Sequence, residues 1–184
     1  MRILFTLFFL LSLTMSSHAQ TKKSVLDLTV KNIDGQDVAL SQYKGKTLLI
    51  VNTASFCGYT RQYADLVQIQ KDYEKKGFTV LAFPSNDFGE QEPGSPAEIK
   101  SFCQARFEVN FPLFDKVHAT GDSISPLYKI LTQESASDFQ GSVKWNFTKF
   151  LINAKGEVVA RFGSSESPTS DTTRKAIESQ LNQK

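Results

Sequence analysis

Cys57 is a candidate nucleophile because of where it lies in the sequence. It follows an apolar run, Thr47 to Val51, and is surrounded by small and hydroxylated residues (NTASFCGYT). A thiol reacts as its thiolate, and a free cysteine titrates near ~8.5. No Lys, Arg or His adjoins Cys57 before Arg61, so we expect backbone N–H groups at the start of a following helix to stabilise the anion. The alternative is an unreactive cysteine buried at a strand end.

Two other segments supply hydrogen-bond donors. Phe83–Ser95 (FPSNDFGEQEPGS) follows a second apolar run, and Trp145–Phe150 (WNFTKF) precedes a predicted hairpin. Gln91, Trp145 and Asn146 each carry side-chain N–H groups, which favour a sulfur anion without adding a competing base. The alternative is that Trp145 packs in the core while Gln91 and Asn146 stabilise turns.

The N-terminus predicts a secretory signal peptide over residues 1–19. Arg2 precedes an apolar segment, Ile3–Leu13, and small residues at positions 17 and 19 favour cleavage before Gln20. The apolar segment is shorter than the roughly 20 residues of a membrane span, although an N-terminal anchor is the alternative. We therefore expect an exported protein, periplasmic or secreted, with a single domain over residues 20–184.

The composition of residues 20–184 excludes several functions. With 20 basic and 19 acidic residues and no basic block, this domain is not expected to bind nucleic acid or to associate stably with a membrane. The only histidine is His118, expected in an exposed loop, and the two cysteines are Cys57 and Cys103. This set has no metal-site spacing, and we expect neither a metal nor a cofactor. In an exported protein, two cysteines by default form a structural disulfide.

Hydrophobic periodicity and turn residues predict an α/β domain. The order is hairpin, strand, helix, strand, helix, helix, hairpin, helix, which indicates a thioredoxin-like fold with a mixed central sheet and helices on both faces. Chemistry in such sheets gathers at the carboxyl ends of the strands, where Cys57 lies. The predicted elements are Val25–Val30, Gln36–Leu40, Thr47–Asn52, Arg61–Lys76, Phe78–Phe83, a helix capped by Ser95 and Glu98 running to about Arg106, Ser125–Leu131, Thr148–Asn153, Glu157–Phe162 and Asp171–Leu181.

The sequence resembles the glutathione peroxidase family at three motifs in the family's order. These are NTASFCGYT, FPSNDFGEQEPGS and WNFTKFL, and the likeness extends from about Leu26 to the last helix. The resemblance implies a thioredoxin fold and reduction of hydrogen peroxide or organic hydroperoxides. It assigns catalytic roles to Cys57, Gln91, Trp145 and Asn146, with Cys57 oxidised to a sulfenic acid.

The sequence departs from the family's usual pattern at four positions. Thr53 replaces a common Val, Phe56 a common Lys, Ser85 a common Cys and Asp87 a common Gln. Phe56 removes a positive charge beside the thiol, and Asp87 adds a negative charge that could oppose a thiolate. These changes leave the reaction class intact and put the peroxide preference and rate in question.

Cys103, in an FCQ segment, resembles the second thiol of thioredoxin-dependent members of the family. That resemblance makes it a resolving cysteine, whose disulfide with Cys57 is reduced by a thioredoxin-like dithiol protein. We expect the two reduced thiols to be too far apart to bond until the helix bearing Cys103 unwinds locally. The alternatives are a core cysteine beside Ile99, Phe102 and Phe107, and a one-cysteine peroxidase that uses glutathione. A short connection over residues 132–142 favours a monomer.

Two other functions compete with a peroxidase. A thiol–disulfide oxidoreductase on the same fold is disfavoured because Thr60 stands where a Cys-x-x-Cys motif would have its second cysteine. A non-enzymatic exported binding protein would hold a permanent Cys57–Cys103 disulfide and would give Gln91 and Trp145 no role.

Overall fold

The computed structural model describes residues 23–182. The predicted signal peptide, residues 1–19, and its cleavage point before Gln20 lie outside the described residues. The helices and strands are β1 Thr29–Lys31, β2 Asp37–Ala39, β3 Thr47–Thr53, α1 Gln62–Tyr73, β4 Phe78–Pro84, α2 Pro96–Phe107, α3 Pro126–Lys129, β5 Lys149–Ile152, β6 Val158–Phe162 and α4 Asp171–Leu181.

The central sheet brings the three sequence motifs to one edge. Its strand order is β4-β3-β5-β6, with β3 parallel to β4 and antiparallel to β5. Thr53 at the end of β3 pairs with Pro84 at the end of β4, so the segments after both strands leave the same edge. Val51 pairs with Lys149, the first residue of the antiparallel β5, so the WNF segment arrives there too.

Helices cover both faces of this sheet. Leu49 and Val51 of β3 pack in one buried cluster with residues of α1, α2 and α4, whereas Leu48 and Ile50 pack in a second cluster with α3 and the loops around it. Every residue of β3 and β4 is buried. A strand buried on both faces has no polar face to alternate with, which explains the continuous apolar runs.

Local signals explain most element boundaries. Ser95 and Glu98 form the predicted capping box at the start of α2, with the Ser95 N–H donating to Glu98 Oε2 over 2.7 Å. Gly77, at φ +88°, ends the turn that follows α1. In residues 23–182 no helix combines the length and apolarity that crossing a membrane requires.

Two predicted elements differ from the structure. The first strand of the N-terminal hairpin is shorter than predicted, because residues Val25–Asp27 form a 3₁₀ turn capped by the Ser24 side chain. The helix predicted over Ser125–Leu131 is α-helical only to Lys129 and continues as a π-helical turn, Ile130–Glu134. Neither difference reaches the sheet edge at which the motifs meet.

Candidate active site

Cys57 lies in a turn between β3 and α1 that is held by the side chain of Thr60. Thr60 Oγ1 accepts a hydrogen bond from the Cys57 N–H over 3.0 Å and donates to the Ala54 carbonyl over 2.9 Å. The Cys57 thiol is free and 8% exposed. Thr60 stands where a Cys-x-x-Cys motif would have its second cysteine, and here its hydroxyl holds the turn together.

The donor to the Cys57 sulfur is a turn amide rather than a helix end. The Tyr59 N–H lies 3.4 Å from Sγ and is the only hydrogen bond to this sulfur within residues 23–182. The loop leads into α1 as expected, with the helix beginning at Gln62, one residue after the predicted start at Arg61.

Gln91 is fixed beside this loop from two directions. The Phe56 N–H donates to the Gln91 carbonyl over 3.1 Å, which ties the Cys57 loop to the segment after β4. The Asn146 side-chain amide donates to Gln91 Oε1 over 3.1 Å and to the Phe88 carbonyl over 3.3 Å. Because Oε1 is occupied by Asn146, the Gln91 side chain presents its N–H₂ group as the donor that is still available.

Within residues 23–182, Asn146 makes no hydrogen bond to the Cys57 thiol. Both hydrogens of its amide are committed to Gln91 and Phe88, and the residue is fully buried. Among the described residues, no side chain of the predicted donor set hydrogen-bonds to the Cys57 sulfur. The expectation that Asn146 donates directly to the thiolate therefore differs from the structure, which places it behind Gln91.

The WNF segment is held against the end of β3 by Asn52, a residue that the sequence reasoning missed. Asn52 is fully buried, and its amide donates to the Trp145 carbonyl over 3.2 Å and accepts from the Thr148 N–H over 3.1 Å. Its backbone carbonyl accepts from the Phe147 N–H over 2.7 Å. These bonds hold Phe147 at φ +60°, a conformation that non-glycine residues adopt at a cost. The available signal was a polar residue ending an apolar strand.

Trp145 lies at the surface and not in the core. Its side chain is 38% exposed and its ring centroid lies 6.2 Å from that of Phe88. Gly89, at φ +67°, lies beneath it, and a Cβ at this position would lie 3.3 Å from Trp145 Cη2 and 3.6 Å from Gln91 Nε2. The absence of a side chain at Gly89 therefore lets Trp145 and Gln91 approach each other.

The carboxylate of Asp87 has its partners at residues 118–120. Its carboxylate accepts hydrogen bonds from the N–H groups of Ala119, over 2.6 Å, and Thr120, over 3.2 Å. It also pairs with Nδ1 of the largely exposed His118 over 2.8 Å. These partners bind the Asp87 carboxylate to the loop at residues 118–120.

Cys103 is fully buried in α2, and both cysteines are free thiols. Burial raises the pKa of the Cys103 thiol to about 11, and the Tyr63 hydroxyl lowers it only in part. The residue shares the inward face of α2 with Ile99. In this structure Cys103 is a packed, protonated thiol, and no disulfide joins it to Cys57.

A cavity of about 360 Å³ lies between the Cys57 loop and α2. Its lining includes Ser55 and Phe56 from the loop, Glu92 from the segment after β4, and Ile99 and Phe102 from α2. Phe56 is 68% exposed, so it forms an apolar lip beside the thiol. Residues 23–182 contain no group of three or more His, Cys, Asp or Glu side chains placed to hold a metal ion.

Solved structures resemble this fold. The crystal structure of Trgpx in its apo form matches with a TM-score of 0.71 and 36% identity, covering 88% of this chain and 97% of that one. A thiol:disulfide interchange protein of the thioredoxin family from Chlorobium tepidum matches with a TM-score of 0.61 at 20% identity, over 84% of this chain and 92% of that chain. The second likeness speaks for the fold alone and confirms the predicted thioredoxin-like architecture.

Sequence comparisons give the family. Phospholipid hydroperoxide glutathione peroxidase 1, chloroplastic, of Arabidopsis thaliana is 49% identical over 84% of this chain, which spans only 66% of that protein's length. Hydroperoxy fatty acid reductase gpx1 of Synechocystis is 48% identical over 82% of this chain and 92% of its own length. The family model "Glutathione peroxidase" matches residues 25–132. With the motifs gathered at one sheet edge, these matches show that the chain belongs to the glutathione peroxidase family.

Proposed function

We propose that the protein is a thiol peroxidase that reduces hydrogen peroxide and organic hydroperoxides with Cys57. The observation that carries this proposal is the linked set of contacts around the thiol. The Phe56 N–H ties the Cys57 loop to Gln91, and Asn146 turns the Gln91 amide so that its N–H₂ group is the free donor. Membership in the glutathione peroxidase family supports the same reaction.

The chemical step transfers one oxygen atom to sulfur. The Cys57 thiolate, whose sulfur accepts a hydrogen bond from the Tyr59 N–H, attacks one peroxide oxygen. An S–O bond forms as the O–O bond breaks, and the second oxygen leaves with a proton as water or an alcohol. Sulfur is oxidised to a sulfenic acid and the peroxide is reduced. N–H donors of Gln91 and Trp145 would stabilise the charge that develops on the leaving oxygen.

Apolar organic hydroperoxides are the proposed preferred substrates. Two of the relatives are named for phospholipid hydroperoxides and for hydroperoxy fatty acids. In this chain, Phe56 is 68% exposed and Trp145 38% exposed. These two rings, on segments that meet beside Cys57, would offer apolar contact to an acyl chain, and contact of this kind is worth about 25 cal/mol per Å² buried.

Recycling is proposed to proceed through Cys103. Its thiol would condense with the Cys57 sulfenic acid, releasing water and forming a disulfide that a thioredoxin-like dithiol protein reduces. Because Cys103 is buried at the inner face of α2, this step requires local opening of the helix. Only two residues of α2 are fully buried, and its C-cap, Glu108, lies at φ +52°, which an L-residue adopts at a cost. The alternative reductant is glutathione acting on the sulfenic acid directly.

Export and a monomeric state complete the proposal. Residues 1–19 have the sequence pattern of a signal peptide, and cleavage before Gln20 would place the enzyme in the periplasm or outside the cell. N-terminal sequencing of the native protein should then begin at Gln20, whereas an intact Met1 would refute export. The short segment 132–142 supports a monomer, which sedimentation would test.

One assay separates the candidate functions. Peroxide-dependent NADPH oxidation is measured with thioredoxin and its reductase, with glutathione and its reductase, and with neither. The proposal predicts turnover with thioredoxin that Cys57→Ser abolishes and Cys103→Ser strongly reduces. If Cys103→Ser turned over with thioredoxin as fast as the wild-type protein, Cys103 would be a core cysteine without a resolving role. Peroxide turnover by Cys57→Ser would refute the proposed function.

A further inference from the structure

Glu92 is a buried carboxylate that the mechanism above leaves without a role. The residue is 0% exposed, and among residues 23–182 neither carboxylate oxygen has a partner with good hydrogen-bond geometry, although the hydroxyl and N–H of Ser55 lie near enough to favour its charged form. Its backbone N–H donates to Asn86 Oδ1 over 2.7 Å, which anchors it in the segment after β4. An unpartnered carboxylate in a protein interior is unfavourable, and when such a group persists it calls for an explanation.

Glu92 lies between the two elements that carry the thiols. On one side is Ser55, two residues before Cys57, whose hydroxyl and N–H favour the carboxylate form of Glu92. On the other side is α2, where the charge of Glu92 raises the pKa of the Cys103 thiol. Glu92 also lines the cavity that separates the Cys57 loop from Ile99 of the same helix.

The surroundings of Glu92 allow both protonation states near neutral pH. Burial raises the pKa of this carboxyl to about 7, and the charge of Lys116 opposes that rise. The other titratable groups that face it are Tyr63 from α1 and Cys103 from α2, and the exposed Glu98 lines the same cavity. A group that titrates near the working pH can both accept and return a proton.

We propose that Glu92 transfers the proton during disulfide formation, an inference that rests on the proposed Cys57–Cys103 exchange. The Cys103 thiol gives its proton to the Glu92 carboxylate as its sulfur bonds to the Cys57 sulfur. The S–O bond of the sulfenic acid breaks, and the departing hydroxide takes the proton from Glu92 to leave as water. Cys103 is oxidised, the Cys57 sulfenic acid is reduced to the disulfide, and the Glu92 carboxylate is restored.

This step needs a base because Cys103 holds its proton tightly. With a pKa of about 11, its thiolate is scarce at neutral pH. Glu92 is anchored by Asn86 and therefore does not belong to the helix that has to open. It can stay beside the Cys57 loop while Cys103 moves toward it.

The test separates oxidation of Cys57 from disulfide formation. Reduced protein is mixed with one equivalent of hydrogen peroxide; peroxide loss reports the first step, and acid quenching with peptide mass analysis reports the second. Glu92→Gln keeps the shape of the side chain and removes its titration. It should leave the first step unchanged and slow the second at least about tenfold. Glu90→Gln, which removes an exposed charge two residues away, should behave as wild type.

The pH profile distinguishes proton transfer from a purely structural role. The wild-type rate of disulfide formation should rise with pH through an inflection near 7, which Glu92→Gln should lack. Equal disulfide rates in the two proteins would overturn the proposal. A wild-type pH–rate profile without an inflection near 7 would also overturn it, and this result does not depend on whether the variant folds. Failure of the proposed function looks different, because the wild-type protein would then consume no peroxide in the first step. Peroxide loss without a Cys57–Cys103 disulfide at any pH would leave the peroxidase standing and overturn the role of Glu92.

Discussion

The side-chain amide of Asn146 donates a hydrogen bond to the side-chain carbonyl of Gln91 over 3.1 Å, and Asn146 is fully buried while doing so. The two residues come from different motifs, one before β5 and one after β4. The bond leaves the Gln91 amide nitrogen as the outward donor. We therefore expect Asn146 to act on the chemistry through Gln91, as a positioning residue.

Asn146→Ala should slow the oxidation of Cys57 because Gln91 loses its fixed orientation. Losing one well-placed donor slows catalysis by roughly ten- to a thousandfold, and the effect of Gln91→Ala should be of the same size. The double variant should be no slower than the slower single variant, because both changes remove one shared interaction. Stopped-flow peroxide consumption measures all four proteins. Additive effects would show that Asn146 acts independently of Gln91.

Asn52→Ala should destabilise the fold and slow Cys57 oxidation together. The substitution leaves the buried Thr148 N–H without a partner, and the Trp145 carbonyl keeps only the hydrogen bond from the Thr148 hydroxyl. We expect a loss of about 1–3 kcal/mol in the free energy of unfolding. Asn153→Ala is the matched control. Asn153 also accepts backbone hydrogen bonds, from Lys155 and Glu157, but at the opposite end of β5. Denaturant unfolding gives the stability of each variant, and stopped-flow mixing gives its rate of Cys57 oxidation. Only Asn52→Ala should oxidise slowly; an equally slow Asn153→Ala would contradict a local role for Asn52.

Phe56→Ala should change substrate preference more than catalytic rate. Phe56 is 68% exposed at the lip of the cavity and makes no contact that the fold requires, so the variant should keep its stability. We expect KM for an apolar organic hydroperoxide to rise several-fold, about threefold to tenfold, because apolar contact area is lost. Hydrogen peroxide, which has no apolar group, serves as the internal control. If KM rose equally for the organic hydroperoxide and for hydrogen peroxide, Phe56 would have no role in substrate selection.

Glu92 should make stability fall as the pH rises. Its pKa is raised from 4.5 to about 7 in the folded protein, so folding favours the protonated carboxyl. The stabilisation is fully present below pH ~4.5 and is lost as the pH rises through about 7. Relative to Glu92→Gln, the wild-type protein should lose up to about 3 kcal/mol between pH 4 and 8. Urea unfolding of both proteins across this range checks the prediction. If the free energy of unfolding varied with pH in the same way in both, the raised pKa of Glu92 would be contradicted.

Fold and family were readable from the sequence because they depend on local, repeated signals. Each signal acts over a few residues: the apolar runs of β3 and β4, the Ser95 capping box and the glycine that ends the turn after α1. The family motifs placed Cys57 correctly at the sheet edge. The candidate site was predictable only as a set of residues. Which amide hydrogen points at which oxygen depends on packing between segments far apart in sequence.

Asn52 and Glu92 show why the rest of the site escaped prediction. Asn52 ends an apolar strand, and in sequence it looks like a strand terminus; only tertiary contact shows that it binds Trp145 and Thr148. Glu92 belongs to a polar, turn-like segment, a composition typical of exposed loops, yet it is fully buried. The direction of Asp87 toward the 118–120 loop likewise depends on backbone N–H groups that no sequence pattern reveals.

The most direct measurement of the central claim is the mass of the protein after one equivalent of hydrogen peroxide. The account predicts that the wild-type protein loses two hydrogens and yields one peptide pair joined through Cys57 and Cys103. Cys103→Ser should instead gain one oxygen, located on Cys57 and captured by a sulfenic acid reagent. Cys57→Ser should remain unmodified. An unmodified wild-type protein, or oxidation located on Cys103 with Cys57 intact, would contradict the account.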